Sequence, residues 1–203
     1  MIHEAPVQRH PGGRRAEITR AAYRVMARSG VHRASLNMVA REAGVSKALL
    51  LYHFGTKDNL VLAALQWVLA ATASRIRASM EGATDGRDAI SRLLDAVWVG
   101  PEQNRDFFRF YLDGVEHQTR LANFEWLGAT ARETINGHYR EVIEAGAAAG
   151  VFSVDDVAAA ATQMRAVIEG MFLQWLQSVE WATNHDAYRD ECRRAVLVLL
   201  RAA

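Results

Sequence analysis

Apolar side chains recur along this chain at spacings of three and four residues, the period of a helix with one buried face. Ile18, Ala21, Ala22, Val25 and Met26 form such a stripe, which stops at Ser29-Gly30, where glycine can take the left-handed turn that ends a helix. A shorter stripe of Leu36, Val39, Ala40 and Ala43 opens behind Ser35, whose hydroxyl can cap the free amides of a first turn, and closes at Gly44. Ser46 can cap a third segment through Phe54, and Thr56 a fourth beyond the Gly55 break. The pattern predicts a helix from Arg14, a helix over 36–43, a tight Gly44-Val45 turn and a helix over 47–54. Val25, Val39, Val45, Leu50 and Phe54 would face inward, and Ser46, Lys47, Tyr52 and His53 outward.

Longer stripes follow. One runs over 57–80 with Leu60, Ala64, Trp67, Val68 and Ala71 inward, and one over 88–99, between the breakers Gly86 and Pro101. A segment over 102–115 is rich in aromatics, and one over 121–149, carrying Phe124, Leu127, Ile135 and Ile143, stops at Gly150. Ser153 and Asp156 make a capping pair for a helix that carries Val157, Met164, Ile168, Met171 and Trp175 as far as Trp181. Asn184 or Asp186 caps the last helix, on which Tyr188, Cys192, Val196 and Leu199 line up. Residues 1–13 show no period and read as a flexible arm. The expectation is an all-α chain of about nine helices, with one three-helix domain over 14–60 and a larger helical domain over 61–203.

Composition sharpens this picture. With three prolines and half of its 203 residues apolar, the chain has material for a sizeable helical core. The net charge of +1 hides a division: residues 1–60 hold 10 Lys and Arg against 4 Asp and Glu, and residues 61–203 hold 14 against 19. A basic N-terminal third is what binding to a phosphate backbone requires, because Lys and Arg release condensed counterions there. A solvated basic face without a partner has the same composition. Cys192, the single cysteine, has no partner within the chain and, in its apolar stripe, reads as a small buried hydrophobe. With neither a signal segment nor an apolar run long enough to span a bilayer, the expected compartment is the cytoplasm, with no membrane partner. Histidines and carboxylates are numerous, yet no HExxH, zinc-spaced Cys/His cluster, GxSxG, GxxxxGK or dinucleotide fingerprint occurs. The expectation is a binding protein rather than an enzyme, with no cofactor and no metal.

The segment Arg15 to Leu60, RAEITRAAYRVMARSGVHRASLNMVAREAGVSKALLLYHFGTKDNL, resembles the helix-turn-helix DNA-binding domain of TetR-family transcriptional regulators over essentially its whole length. The specific part is AREAGVSKALLLYHFGTKDNL, where the Ala43-Gly44-Val45-Ser46-Lys47 turn, the Tyr52-His53-Phe54 run and Lys57 stand in family-like order. The resemblance implies that Ser46, Lys47 and Ala48 open a recognition helix at base edges, and that Tyr52, His53 and Lys57 contact phosphates or nearby bases. The chemistry suits those roles: Tyr and His offer donors to phosphate oxygens, Lys57 brings charge to a helix start that already favours an anion, and a small Ala48 permits close approach to the groove. Arg33, Ser35 and Asn37 stand where family members touch phosphate or base edges. Asn37 could pair bidentately with adenine or be a solvated surface residue, and Ser35 can be cap and contact at once. The sequence departs from the family at Leu51, where many relatives carry an aromatic residue. Leu51 is expected to pack, with contact to a thymine methyl group as the alternative.

Farther along, AGAAAGVFSVDDVAAAATQMRAVIEGMFLQWL, Ala145 to Leu176, is similar to the subgroup with a choline-sensing-repressor-like C-terminal domain. The family implies a ligand-binding and dimerisation bundle, with a homodimer formed through the last two helices, where Ala158 to Ala161 and Gly170 would allow close approach. Trp67, Trp98, Phe107, Phe110 and Tyr111 could line an apolar cavity together with Trp126, Met164, Ile168 and Phe172, although each serves equally well as core. Polar candidates beside them are Glu116, His117, Asn123, His138, Gln163 and Glu169. Trp67, Trp98 and Trp126 with a carboxylate such as Glu169 would suit a quaternary ammonium ligand through cation–π contact.

These features together imply a dimeric repressor that binds a near-palindromic double-stranded DNA operator and is released by a small-molecule effector, with the helix over 57–80 as the lever. Activation or corepression is compatible with the same residues. The alternative class is a helical ligand-binding or protein-interaction module that has lost specific DNA binding.

Overall fold

Helix ends in this protein fall where short polar side chains or glycines satisfy orphan backbone groups. The computed structural model describes residues 13–120 and 132–202. In order, these form α1 (Gly13–Ser29), α2 (Leu36–Glu42), α3 (Lys47–Phe54), α4 (Lys57–Met80), α5 (Gly86–Val97) and α6 (Pro101–Thr119). A π-helical turn (Arg132–Asn136) then leads directly into α7 (Gly137–Ala148), followed by α8 (Val157–Gln177) and α9 (His185–Leu199). The described residues thus contain nine α-helices and no strand, as the hydrophobic period implied.

Several boundaries differ from the sequence expectation for identifiable reasons. α5 starts at Gly86 because the Asp85 carboxylate accepts the amide of Asp88 at 2.9 Å and caps it. Pro101 opens α6 rather than merely ending the previous helix, since a first helical position needs no amide donor. α8 stops at Gln177, short of Trp181: Ser178 is extended, and the Trp175 indole donates to the Trp181 carbonyl at 2.8 Å, folding the connection back. Phe124, Trp126, Asn123 and the first part of the helix expected over 121–149 lie outside the described residues.

The chain forms two compact units, one reaching Trp67 and the other starting at Val68. In the first, Ile18, Ala22 and Val25 of α1 are buried with Val39 of α2, Leu50 and Phe54 of α3 and Leu60 of α4. Val45, expected in this core, is only partly covered. Both oxygens of Glu42 on α2 are taken by α1, from Arg24 and Arg28 at 2.8 Å each. Those two guanidinium groups hold the Glu42 carboxyl below its ordinary range. Tyr23 and Trp67 meet with ring centroids 5.5 Å apart.

In the second unit, α8 is central, and Ala160, Ala161, Met164, Ile168, Phe172 and Trp175 are its buried stripe. Trp98 stacks on Phe172 at 3.8 Å, and His185 lies edge-on to Trp98 and Trp175. Cys192 is fully buried, and burial pushes its thiol up to about 12, which leaves it an inert hydrophobe at neutral pH. Contrary to the sequence expectation, α4 is by length and composition apolar enough to cross a bilayer. Its Leu60, Val61, Ala64, Leu65 and Leu69 are buried in the protein, as in a core helix.

Candidate functional site

The turn between α2 and α3 is fixed by its backbone. Gly44 has φ 63°, and the amides of Gly44 and Val45 donate to the carbonyls of Arg41 and Ala40 at 3.2 and 2.9 Å, closing the end of α2. Ser35 caps α2 by accepting the Met38 amide at 3.2 Å, and Ser46 caps α3 by accepting the Leu49 amide at 3.1 Å. Leu50 and Phe54, one turn apart, are buried. Helical geometry then sends Ala48, Leu51 and Tyr52 to the opposite face of α3, where all three are exposed, with Lys47 exposed in the first turn. Leu51, expected to pack, lies on this outward face and is 36% exposed, so it is covered only in part. Tyr52 is 84% exposed, so neither burial nor packing explains an aromatic side chain there.

Around this face the cations are held in place. The Lys57 ammonium donates to the His32 carbonyl at 3.1 Å, and its partial burial lowers its pKa, an effect that Asp58 offsets only in part. Arg33 Nε donates to the Ser29 carbonyl at 2.9 Å, and Asn37 is exposed in the first turn of α2. His53 is half-buried between the rings of Tyr52 and Phe54. Arg15, which the sequence reading passed over, donates to the His53 carbonyl at 3.3 Å and lies 4.8 Å over the Phe54 ring, fastening α1 to the end of α3.

The second unit holds a small, partly open cavity of about 50 Å³. Four of the residues expected at such a cavity line it: Phe107, Tyr111, Ile168 and Phe172. The others do not. Trp98, Phe110 and Met164 are fully buried core, Trp67 lies against Tyr23 in the first unit, and Trp126 is outside the described residues. Trp98, one of the three tryptophans expected beside Glu169, is thus core rather than cavity wall. Among the polar candidates, Glu169 lines the cavity, while Gln163 is exposed on α8 and His138 is buried with Nδ1 3.2 Å from Glu141.

Three polar cavity residues were not picked out from the sequence: Thr72, Tyr139 and Arg165. Arg165 and Glu169 were findable as an i,i+4 pair flanking the buried Met164 and Ile168. Arg165 Nε donates to Glu169 Oε1 at 2.8 Å and its Nη2 to the Tyr111 hydroxyl at 3.0 Å, while that hydroxyl lies 3.3 Å from the same carboxylate oxygen. Burial raises the Tyr111 pKa, so the phenol keeps its proton and donates to Glu169. Among the described residues no cluster of His, Cys, Asp and Glu has the makings of a metal site.

Residues 18–64 match the family described as bacterial regulatory proteins, tetR family, and residues 86–201 match the BetI-type transcriptional repressor C-terminal domain. Among curated proteins, the HTH-type transcriptional regulator BetI of Vibrio parahaemolyticus is 22% identical over 166 residues, 81% of each chain. The HTH-type transcriptional activator FasR of Mycolicibacterium smegmatis is 31% identical over 100 residues, a stretch that covers 49% of this chain and 46% of that protein. Among solved structures, a transcriptional regulator from Saccharomonospora viridis in complex with choline is 26% identical with a TM-score of 0.78, covering 90% of this chain and 94% of its own. A TetR-family regulator from Rhodococcus sp. is also 26% identical, with a TM-score of 0.70 over 92% and 98% of the two chains.

Proposed function

The chain belongs to the TetR family of bacterial regulatory proteins and carries a BetI-type C-terminal domain, and from that membership we propose that it is a cytoplasmic repressor released from its operator by a small molecule. It is a DNA-binding transcriptional regulator. The observation that carries the operator reading is the outward face of α3, where Ala48, Leu51 and Tyr52 stand exposed over a core that holds the helix rigidly. A small, an apolar and an aromatic side chain, rimmed by Lys47 and Lys57, suit a groove wall and its phosphates rather than water.

Two such faces are needed on a near-palindromic site, about 34–36 Å apart, and a two-fold dimer supplies them. Ala159, Ala166, Gly170 and Leu173 recur along α8 at seven-, four- and three-residue spacing, and all but the partly covered Gly170 are exposed. On α9, Val198 is 77% exposed. These faces support a homodimer through α8 and α9. Ala160 and Ala161, also expected at that contact, are buried within the chain and belong to its own core.

The effector reading rests on the cavity. Choline is the ligand of the Saccharomonospora protein; for this chain the cavity supports a small organic effector, with α4, which contributes Leu69 and Thr72 to its wall and Leu60 to the core of the first unit, as the coupling element. By linkage, a ligand that prefers the form unable to hold DNA weakens operator binding by the ratio of its two affinities.

Three variants test the operator assignment. Lys57→Ala is expected to weaken binding to every duplex and to reduce the salt slope by about one. Asn37→Ala and Lys47→Ala are expected to relax preference at individual base pairs, by about 1–3 kcal/mol each. Unchanged affinity, preference and salt slope in all three would overturn it.

A further inference from the structure

The polar end of the cavity has a sign. Arg165, Tyr111 and Glu169 meet there, and the rest of its wall among the described residues is mostly apolar, with Phe107, Phe108 and Phe172 the main rings. The two members of the ion pair are not equally free to move. The Arg165 side chain is 16% exposed and is held twice, by Glu169 and by the Tyr111 hydroxyl, whereas the Glu169 side chain is 41% exposed. Glu169 can rotate toward water and be solvated as it leaves, while Arg165 would have to carry its charge out of a mostly buried position. Arg165 is the fixed group and Glu169 the exchangeable one.

We propose that the effector is a short-chain carboxylate whose oxygens replace the Glu169 carboxylate on Arg165 and Tyr111. This rests on the reading of the cavity as the effector site. When Glu169 leaves, Nε of the guanidinium is free to donate to one carboxylate oxygen, and the Tyr111 hydroxyl, which stays on Nη2 and faces the Glu169 Oε1 position, donates to the ligand from the same side. The aromatic walls then receive the aliphatic chain. With Glu169 in place the cavity, about 50 Å³, holds only a few water-sized groups, and the departing carboxylate adds its own space, so a small carboxylate fits best. A small cation has the opposite problem: the rings would attract it, but it would share a cavity with the Arg165 guanidinium, which cannot leave cheaply.

Isothermal calorimetry on the full chain tests this with sodium acetate, propionate, butyrate and hexanoate, and with choline and tetramethylammonium chloride. The expected result is binding by at least one carboxylate and by neither cation. Glu169→Gln removes the internal competitor and is expected to tighten the carboxylate by up to about fivefold. Arg165→Gln is expected to weaken it by roughly tenfold or more. Arg165→Lys, which keeps the charge but not the planar guanidinium, is expected to fall between, and it guards against a Gln variant that fails to fold. A carboxylate series that gives no heat, a cation that binds more tightly, or a Glu169→Gln variant that binds its ligand less tightly would each overturn the proposal. Release of a bound duplex by the same compounds separates the two readings. A carboxylate that binds without releasing DNA contradicts ligand-coupled repression and leaves the ligand class standing; release by choline does the reverse.

Discussion

His185 is the first residue of α9, and its ring is buried against the indoles of Trp98 and Trp175. Its Nε2 lies 2.9 Å from Asn104 Oδ1, while Asn104 Nδ2 donates to the Val97 carbonyl at 2.8 Å. Because the amide of Asn104 is thus oriented with its oxygen toward the ring, His185 must donate from Nε2, which assigns the neutral tautomer. Burial holds the His185 pKa below its ordinary 6.5, with Asp186 pulling the other way and not prevailing. The unfolded chain therefore takes up this proton at a higher pH than the folded one does. The contribution is complete above pH 6.5 and is lost as pH falls from there through the folded-state pKa. Urea unfolding at pH 7 and pH 5 checks this: His185→Gln, which can still donate to Asn104, is expected to lose less stability over that interval than the wild type. An equal loss in both would contradict it. At this same scale the sequence was an uneven guide. The caps Ser35 and Ser46 were legible because capping depends on a local residue type. Leu51 and Trp98 were not, because an apolar residue in a helix can face either way, and neighbours distant in sequence decide which.

Helix spacing and breakers were legible at the level of elements, since the period of three and four residues is a property of the segment itself. What was hidden was contact between elements, and Phe152 shows why. Its ring sits between α5 and α7, so close that a Cβ on Gly146 would come within 2.2 Å of it, and one on Gly86 within 2.9 Å. Gly146 lies in the stretch AGAAAG, which carries no sign that a phenylalanine six positions later fills the space above it. Alanine in a helix ordinarily stabilises relative to glycine by about 0.5–1 kcal/mol. At Gly146 the crowding outweighs this, and Gly146→Ala is expected to cost about 1–3 kcal/mol by overpacking. Gly137, with nothing within 4 Å of a Cβ, is the control, and alanine there should be neutral or stabilising. Thermal unfolding of the two variants reads the difference, and equal midpoints would contradict the packing described. The cavity was half legible for a related reason. Its apolar walls follow from the stripe on α8, but the Arg165–Tyr111 contact joins residues 54 positions apart and depends on how α6 meets α8.

The whole molecule combines a basic unit with a three-helix core and an exposed face on α3, and a second unit with a cavity and an uncovered stripe on α8. The charge division along the sequence and the ordered motif over Arg15 to Leu60 carried the first half of that description, because both are local. The proposed regulator binds a specific duplex as a dimer. Fluorescence anisotropy of labelled DNA from its own upstream region, against scrambled duplex and across a salt series, tests this most directly. Binding to the upstream DNA is expected to be at least about a thousandfold tighter than to the scrambled duplex. Stoichiometry should be two protomers per site or a multiple of two, with a steep loss of affinity as salt rises. Weak binding that does not distinguish the two duplexes, with the same result for duplexes drawn from a random pool, would contradict it and favour a helical ligand-binding or interaction module without an operator.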